Sequence, residues 1–183
     1  MTDIKKQLKD IATATVQRGG IYAVTMRELG KAVGIKSSSV MYHFENKDGL
    51  LREITMDYRD EFFTMLAEVE IKKTDLRQKL FALLDIFKDA LGERKYCLFG
   101  MMAAEVQYLD KPTRKIVESF FDRLASWIEK QIKESHHQAL KKHAVSHARM
   151  LISGLEGALL LDKATGSQKN LDAMKHWIVT VTQ

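Results

Sequence analysis

Ser37, Ser38 and Ser39 stand in a row ahead of Tyr42, His43 and Phe44, in the stretch IKSSSVMYHFENKDGL at residues 35–50. Hydroxyls near an imidazole are the groups of a nucleophile and its general base. They are also groups that meet a nucleic-acid backbone, where short hydroxyls donate to phosphate oxygens. The nucleophile reading lacks its setting. No glycine elbow surrounds the serines and no strand pattern precedes them. The chain is therefore expected not to be an enzyme, and no cofactor is expected.

Two other groups invite chemistry. His136, His137, His143 and His147 are close in sequence, and the last two share a helix face at i, i+4. That spacing suits a metal, and a helical metal-binding protein or enzyme is the alternative reading. No carboxylate or cysteine accompanies the pair, so a solvated loop and helix start explains them as well. Cys97 is the single cysteine and cannot form an internal disulfide, which fits a reducing cytoplasm. With Arg94 and Lys95 beside it, it reads as a reactive sensor thiol or as a small buried core residue.

The elements that must position these groups are helical. There is one proline, Pro112, and good helix formers dominate. Residues 1–52 hold nine Lys/Arg against five Asp/Glu, while the other 131 hold 20 against 19. The positive excess thus lies with the serine stretch, which points to a polyanion partner. The start, MTDIKKQLKD, is charged from its third residue and has no secretory apolar region. No apolar run is long enough to span a membrane.

Apolar spacing at Ile4, Leu8, Ile11 and Val16 predicts a first helix, stopped by Gly19-Gly20. Thr25 and Glu28 have capping-box spacing and Val24 and Leu29 hydrophobic-staple spacing, so a second helix starts at Met26 and stops at Gly34. A third short helix fits Ser37 to Phe44. Two short helices joined by a glycine-containing turn make a helix-turn-helix. Asn46 can cap a long helix through Leu50, Ile54, Tyr58, Phe62, Leu66 and Val69. Asp75 with Gln78 opens another, Pro112 stands near the start of a further long one, and ESHHQALKKH reads as a loop or frayed end. Asn170 is expected to cap the last helix. The expectation is an all-α protein of about nine or ten helices. Residues 1–48 would form the helix-turn-helix domain and 49–183 a helical ligand-binding and dimerisation domain.

Residues 25–51, TMRELGKAVGIKSSSVMYHFENKDGLL, resemble the DNA-binding head of TetR-family transcriptional regulators. The matches are Thr25, Arg27, Leu29, Val33, Gly34, Ile35, Val40, His43, Phe44, Asn46, Lys47 and Leu50, without a gap. The resemblance implies phosphate contacts from Thr25, Arg27 and Lys47. It places Ser37, Ser38 and Ser39 against backbone or base edges, and Tyr42 and His43 against the backbone and neighbouring bases. Three positions depart from the family pattern. Gly30 replaces a small alanine and weakens its helix by up to ~1 kcal/mol. Lys36 stands where a serine often caps the recognition helix, so the cap is expected to move to Ser37. Met41 replaces a tyrosine and cannot donate to phosphate.

The same resemblance implies a homodimer on a near-palindromic double-stranded operator, because two heads must match two half-sites. Phe120, Trp127, Leu151, Leu155, Ala158 and Leu159 are the expected interface. It also implies a small-molecule inducer among the middle helices. Phe62, Met65, Phe81, Leu84, Phe87, Cys97, Phe99, Met101 and Met102 supply adaptable apolar groups there, with Glu105 or Tyr108 as a polar anchor. The whole would be a cytoplasmic repressor released from its operator by a small apolar ligand; beside the metal-binding alternative stands a helix-turn-helix regulator with no small-molecule ligand.

Overall fold

A computed structural model describes residues 4–183; the first three residues of the charged start lie outside the described residues. Ten α-helices and no strand occur among the described residues. In chain order they are α1 Ile4–Gly19, α2 Met26–Val33, α3 Ser37–Phe44, α4 Lys47–Lys72, α5 Leu76–Gly92, α6 Leu98–Ala104, α7 Lys111–Glu134, α8 Gln138–Lys141, α9 Ala144–Thr165 and α10 Lys169–Val181. Single 3-10 turns lie at Ile21–Ala23 and Val106–Tyr108. The histidine-rich stretch expected as a loop contains one helical turn, α8, anchored by buried Leu140.

The local signals behave as their chemistry dictates. The Thr25 hydroxyl accepts the Glu28 N–H at 3.1 Å and opens α2. Gly34, at φ 75°, closes it in the left-handed region that favours glycine. Asn46 Oδ1 accepts the Gly49 N–H at 2.9 Å at the start of α4, and Asp75 caps α5. The cap expected from Asn170 comes instead from further away. Asp162, fully buried in α9, accepts the backbone N–H groups of Asn170 at 3.0 Å and Leu171 at 2.8 Å. A carboxylate offers two full acceptor atoms to those donors, and Asn170 itself donates its side-chain amide to Asp162.

The chain packs as two units. The first holds the residues up to Glu61 together with Leu98–Glu118. Its core takes Leu8, Ala12 and Val16 from α1, Leu29 from α2, Val40 and Phe44 from α3, and Leu50 and Ile54 from α4. Lys5 pairs with Glu53 at 2.9 Å and Lys9 with Asp57 at 2.5 Å, tying α1 to α4. The boundary expected at residue 48 does not follow these units, because α6 and the chain after it pack with the head.

The second unit holds Phe62–Cys97 and Ser119–Gln183. Phe62 and Phe63 pack their rings against Phe120 at 5.0 and 5.4 Å, in edge-to-face and tilted contacts. Leu80, Leu83 and Leu84 of α5, Leu151, Leu155 and Leu159 of α9, and Leu171 and Ile178 of α10 complete its core. Five of the residues expected at a dimer interface are therefore internal: Phe120, Leu151, Leu155, Ala158 and Leu159 are all buried in the single chain. The sixth, Trp127, is half-buried and donates its Nε1–H to Glu70 at 3.1 Å. Helical periodicity marks an apolar face but not which side faces the chain's own core. On α9 the outward large apolar residues are Val145, Met150, Leu160 and Leu161, at 51%, 59%, 54% and 52% exposure.

Candidate nucleic-acid interface

The helix-turn-helix lies wholly in the first unit, and its turn depends on Gly30. A Cβ there would stand 2.7 Å from the Ile35 carbonyl oxygen, closer than real contacts allow. The bare glycine lets the chain fold back so that the Ile35 N–H reaches the Gly30 carbonyl at 2.9 Å. Gly30 is thus a requirement of the α2–α3 turn as well as a weak helix former.

Helix α3 begins at Ser37, with Lys36 in the cap position and no side-chain cap hydrogen bond. The cap expected from Ser37 is not made. Lysine has no acceptor atom, so the cap residue's side chain satisfies none of the first N–H groups of α3, although the Ser39 N–H reaches the Lys36 carbonyl at 2.9 Å. These groups and the helix dipole favour an anion. Ser37, Ser38 and Ser39 are all exposed at this end. Thr25 and Arg27 are exposed at the start of α2. Tyr42 is 87% exposed, with its ring 5.8 Å from that of half-buried His43, while Phe44 beside them is core.

Lys47 opens α4 with its ammonium over the Tyr22 ring, 5.7 Å from the centroid. It forms no ion pair among the described residues. Burial pulls its pKa below the ordinary lysine value, against the opposing pull of the Glu105 and Asp48 carboxylates. A partly desolvated ammonium without an ion pair is suited to a phosphate. The eight residues expected to meet DNA therefore all belong to one unit.

The residues expected around a ligand are divided. Phe62, Leu84, Phe87 and Cys97 are buried in the second unit, Phe81 is half-buried there, and Met65 is 44% exposed. Phe99 and Met102 are fully buried in the first unit, with Met101 half-buried. Glu105, expected as a ligand anchor, has its carboxylate engaged with the head: Oε2 accepts the Ile21 N–H at 2.5 Å.

Cys97 donates a hydrogen bond to Glu156, a residue that sequence reasoning passed over. Burial pushes the Glu156 carboxyl up to about 7, only partly offset by the Cys97 hydrogen bond, and its Oε1 has no hydrogen-bond partner. Position 156 lies within the apolar helix α9, and nothing in the local pattern separates it from a solvated glutamate. The histidines pair by ring contact, His136 with His137 at 4.3 Å and His143 with His147 at 6.5 Å. Among the described residues no group of three or more His, Cys, Asp or Glu side chains is placed to hold a metal ion. No helix among them is long and apolar enough to cross a membrane.

Residues 10–54 match the family model for bacterial regulatory proteins of the tetR family. Residues 76–176 match that for the C-terminal domain of LmrA/YxaF-like transcriptional regulators. The HTH-type transcriptional repressor KstR2 of Rhodococcus jostii is 29% identical over 105 residues, covering 57% of this chain and 51% of the relative. The chain thus spans about half the length of the curated relatives it matches. A TetR transcriptional regulator from Legionella pneumophila superposes with a TM-score of 0.93 at 24% identity, over 100% of this chain and 99% of the other. One from Agrobacterium tumefaciens gives 0.92 at 22% identity, over 98% of each. At such identities the likeness is one of fold. With the exposed hydroxyls of α3 on an uncapped helix end and both family models matched in order, the chain belongs to the TetR family of DNA-binding bacterial transcriptional regulators.

Proposed function

We propose that this protein is a cytoplasmic transcriptional repressor that binds a near-palindromic double-stranded operator as a homodimer and leaves it when a small, largely apolar molecule binds. The observation that carries the reading is the N-terminal end of α3. Three exposed serines surround a helix end with no side-chain cap, with exposed Thr25 and Arg27 on α2 and Lys47 on α4 in the same unit. A phosphate oxygen is the acceptor such an end lacks. That the KstR2 relatives are repressors supports the sign of regulation.

For the dimer we place the contact on the outward face of α9. Met150, Ser153, Gly157 and Leu160/Leu161 recur at helical spacing, and a Cβ built on Gly157 would meet nothing. A helix from a second copy can approach closely there, and burying Met150, Leu160 and Leu161 supplies the driving force. Effector action is a coupling free energy of ~1–3 kcal/mol. It requires the ligand to prefer one head spacing over the other.

The test is to select bound fragments from genomic DNA and measure binding to the recovered sequence by fluorescence anisotropy. Two symmetric half-sites one helical turn apart, or a multiple, are expected. A protein that binds no duplex with a salt-dependent affinity sinks the proposal.

A further inference from the structure

Glu105 stands outside the helix-turn-helix in sequence yet is joined to it in the first unit. Its Oε2 accepts the Ile21 N–H across 84 residues of chain. Gly20, at φ 82°, makes this approach possible: a Cβ there would fall 2.9 Å from both Glu105 carboxylate oxygens. Tyr22 continues the contact, packing edge-to-face on Tyr108 at 4.9 Å. Tyr22 also meets Lys47, whose ammonium lies over its ring. The turn that leads into α2 is thus held by Glu105 and Tyr108, just after α6, and the Lys47 ammonium lies over the Tyr22 ring of that turn.

We propose that Glu105 is a positioning residue for DNA binding, fixing the Gly20–Tyr22 turn by its hydrogen bond to Ile21 so that Lys47 stands where a phosphate meets it. This rests on the proposed DNA-binding function and deepens it: Glu105 governs the head without touching DNA. The hydrogen bond requires an acceptor at the reach of a glutamate side chain. A net charge is not needed for that role, which gives a discriminating pair of variants. Glu105→Gln keeps the reach and an acceptor oxygen and loses the charge. Glu105→Asp keeps the charge and loses a methylene of reach.

Both full-length variants are titrated with a labelled mixed-sequence duplex across a series of salt concentrations, with helix content and Tm recorded alongside. Glu105→Gln is expected within about twofold of the wild type. Glu105→Asp is expected to bind about fivefold more weakly, with a salt slope flattened by about one phosphate, the loss of Lys47. A wild-type affinity and slope for Glu105→Asp, or equal losses in the two variants, overturns the proposal. Wild-type protein that fails to bind the duplex at all strikes at the DNA-binding function itself, so the two failures are distinguishable. Should Glu105→Asp lose helix content, slowed amide exchange of Ile21 in the wild type and Glu105→Gln decides. Fast exchange in both overturns the proposal.

Discussion

The carboxylate of Asp162 accepts the backbone N–H of Leu171 at 2.8 Å, so that α9 caps α10 from nine residues away. Ser167 and Asn170 donate to the same carboxylate, which is shut off from solvent. Burial works to raise its pKa, yet the hydrogen bonds from Leu171, Asn170 and Ser167 outweigh it and hold the group below the ordinary aspartate value.

Asp162→Ala should therefore destabilise the protein by about 3 kcal/mol, since several buried donors lose their acceptor together. The linked pH effect has a definite sign. A depressed folded pKa gives stability that is present above the unfolded aspartate value and is lost as pH falls through the folded one. Urea unfolding of wild type and variant should differ at neutral pH and converge in acid. Equal midpoints at pH 7 would remove the cap from the account.

Glu156 carries the opposite sign. Its carboxyl is raised from 4.5 to about 7 by burial. Stability is fully present below the unfolded value and is lost as pH rises through about 7. Glu156→Gln should stabilise the protein at pH 8, by about 3 kcal/mol at most, and the gain should vanish near pH 4. Chemical unfolding at both pH values checks this; a variant less stable at pH 8 contradicts it.

Gly30→Ala sets helix propensity against a steric contact. Alanine favours the helix by up to ~1 kcal/mol, but its Cβ meets the Ile35 carbonyl at 2.7 Å, and that oxygen is backbone. A net loss of about 1–2 kcal/mol is expected, together with weaker DNA binding as α3 shifts. A raised Tm would show that the turn relaxes freely.

Lys47→Ala should weaken binding to every duplex alike and lower the salt slope by about one phosphate. An unchanged slope takes Lys47 off the contact surface.

Leu160→Glu, on the outward face of α9, should yield folded monomers with poor operator binding. Leu155→Glu, in the core, should instead unfold the second unit by burying an unpaired charge. Sedimentation together with circular dichroism separates the two, and a dimeric Leu160→Glu variant would move the interface elsewhere.

Residue order alone is enough for the helical class, the helix-turn-helix and most of its boundaries. Thr25 with Glu28, Asn46 with Gly49 and Asp75 with Gln78 act over three residues, so each cap is written in neighbouring letters. The hydroxyl and basic residues of the head were legible for the same reason. Contacts between distant residues were not. Nothing near Glu105 announces Ile21, nothing near Asn170 announces Asp162, and Gly30 looks like a poor helix former until Ile35 folds back upon it. Periodicity likewise showed that α9 is apolar but not which face its own chain occupies. Only the packed structure assigned Leu155 inward and Leu160 outward, because burial depends on what else competes for each face.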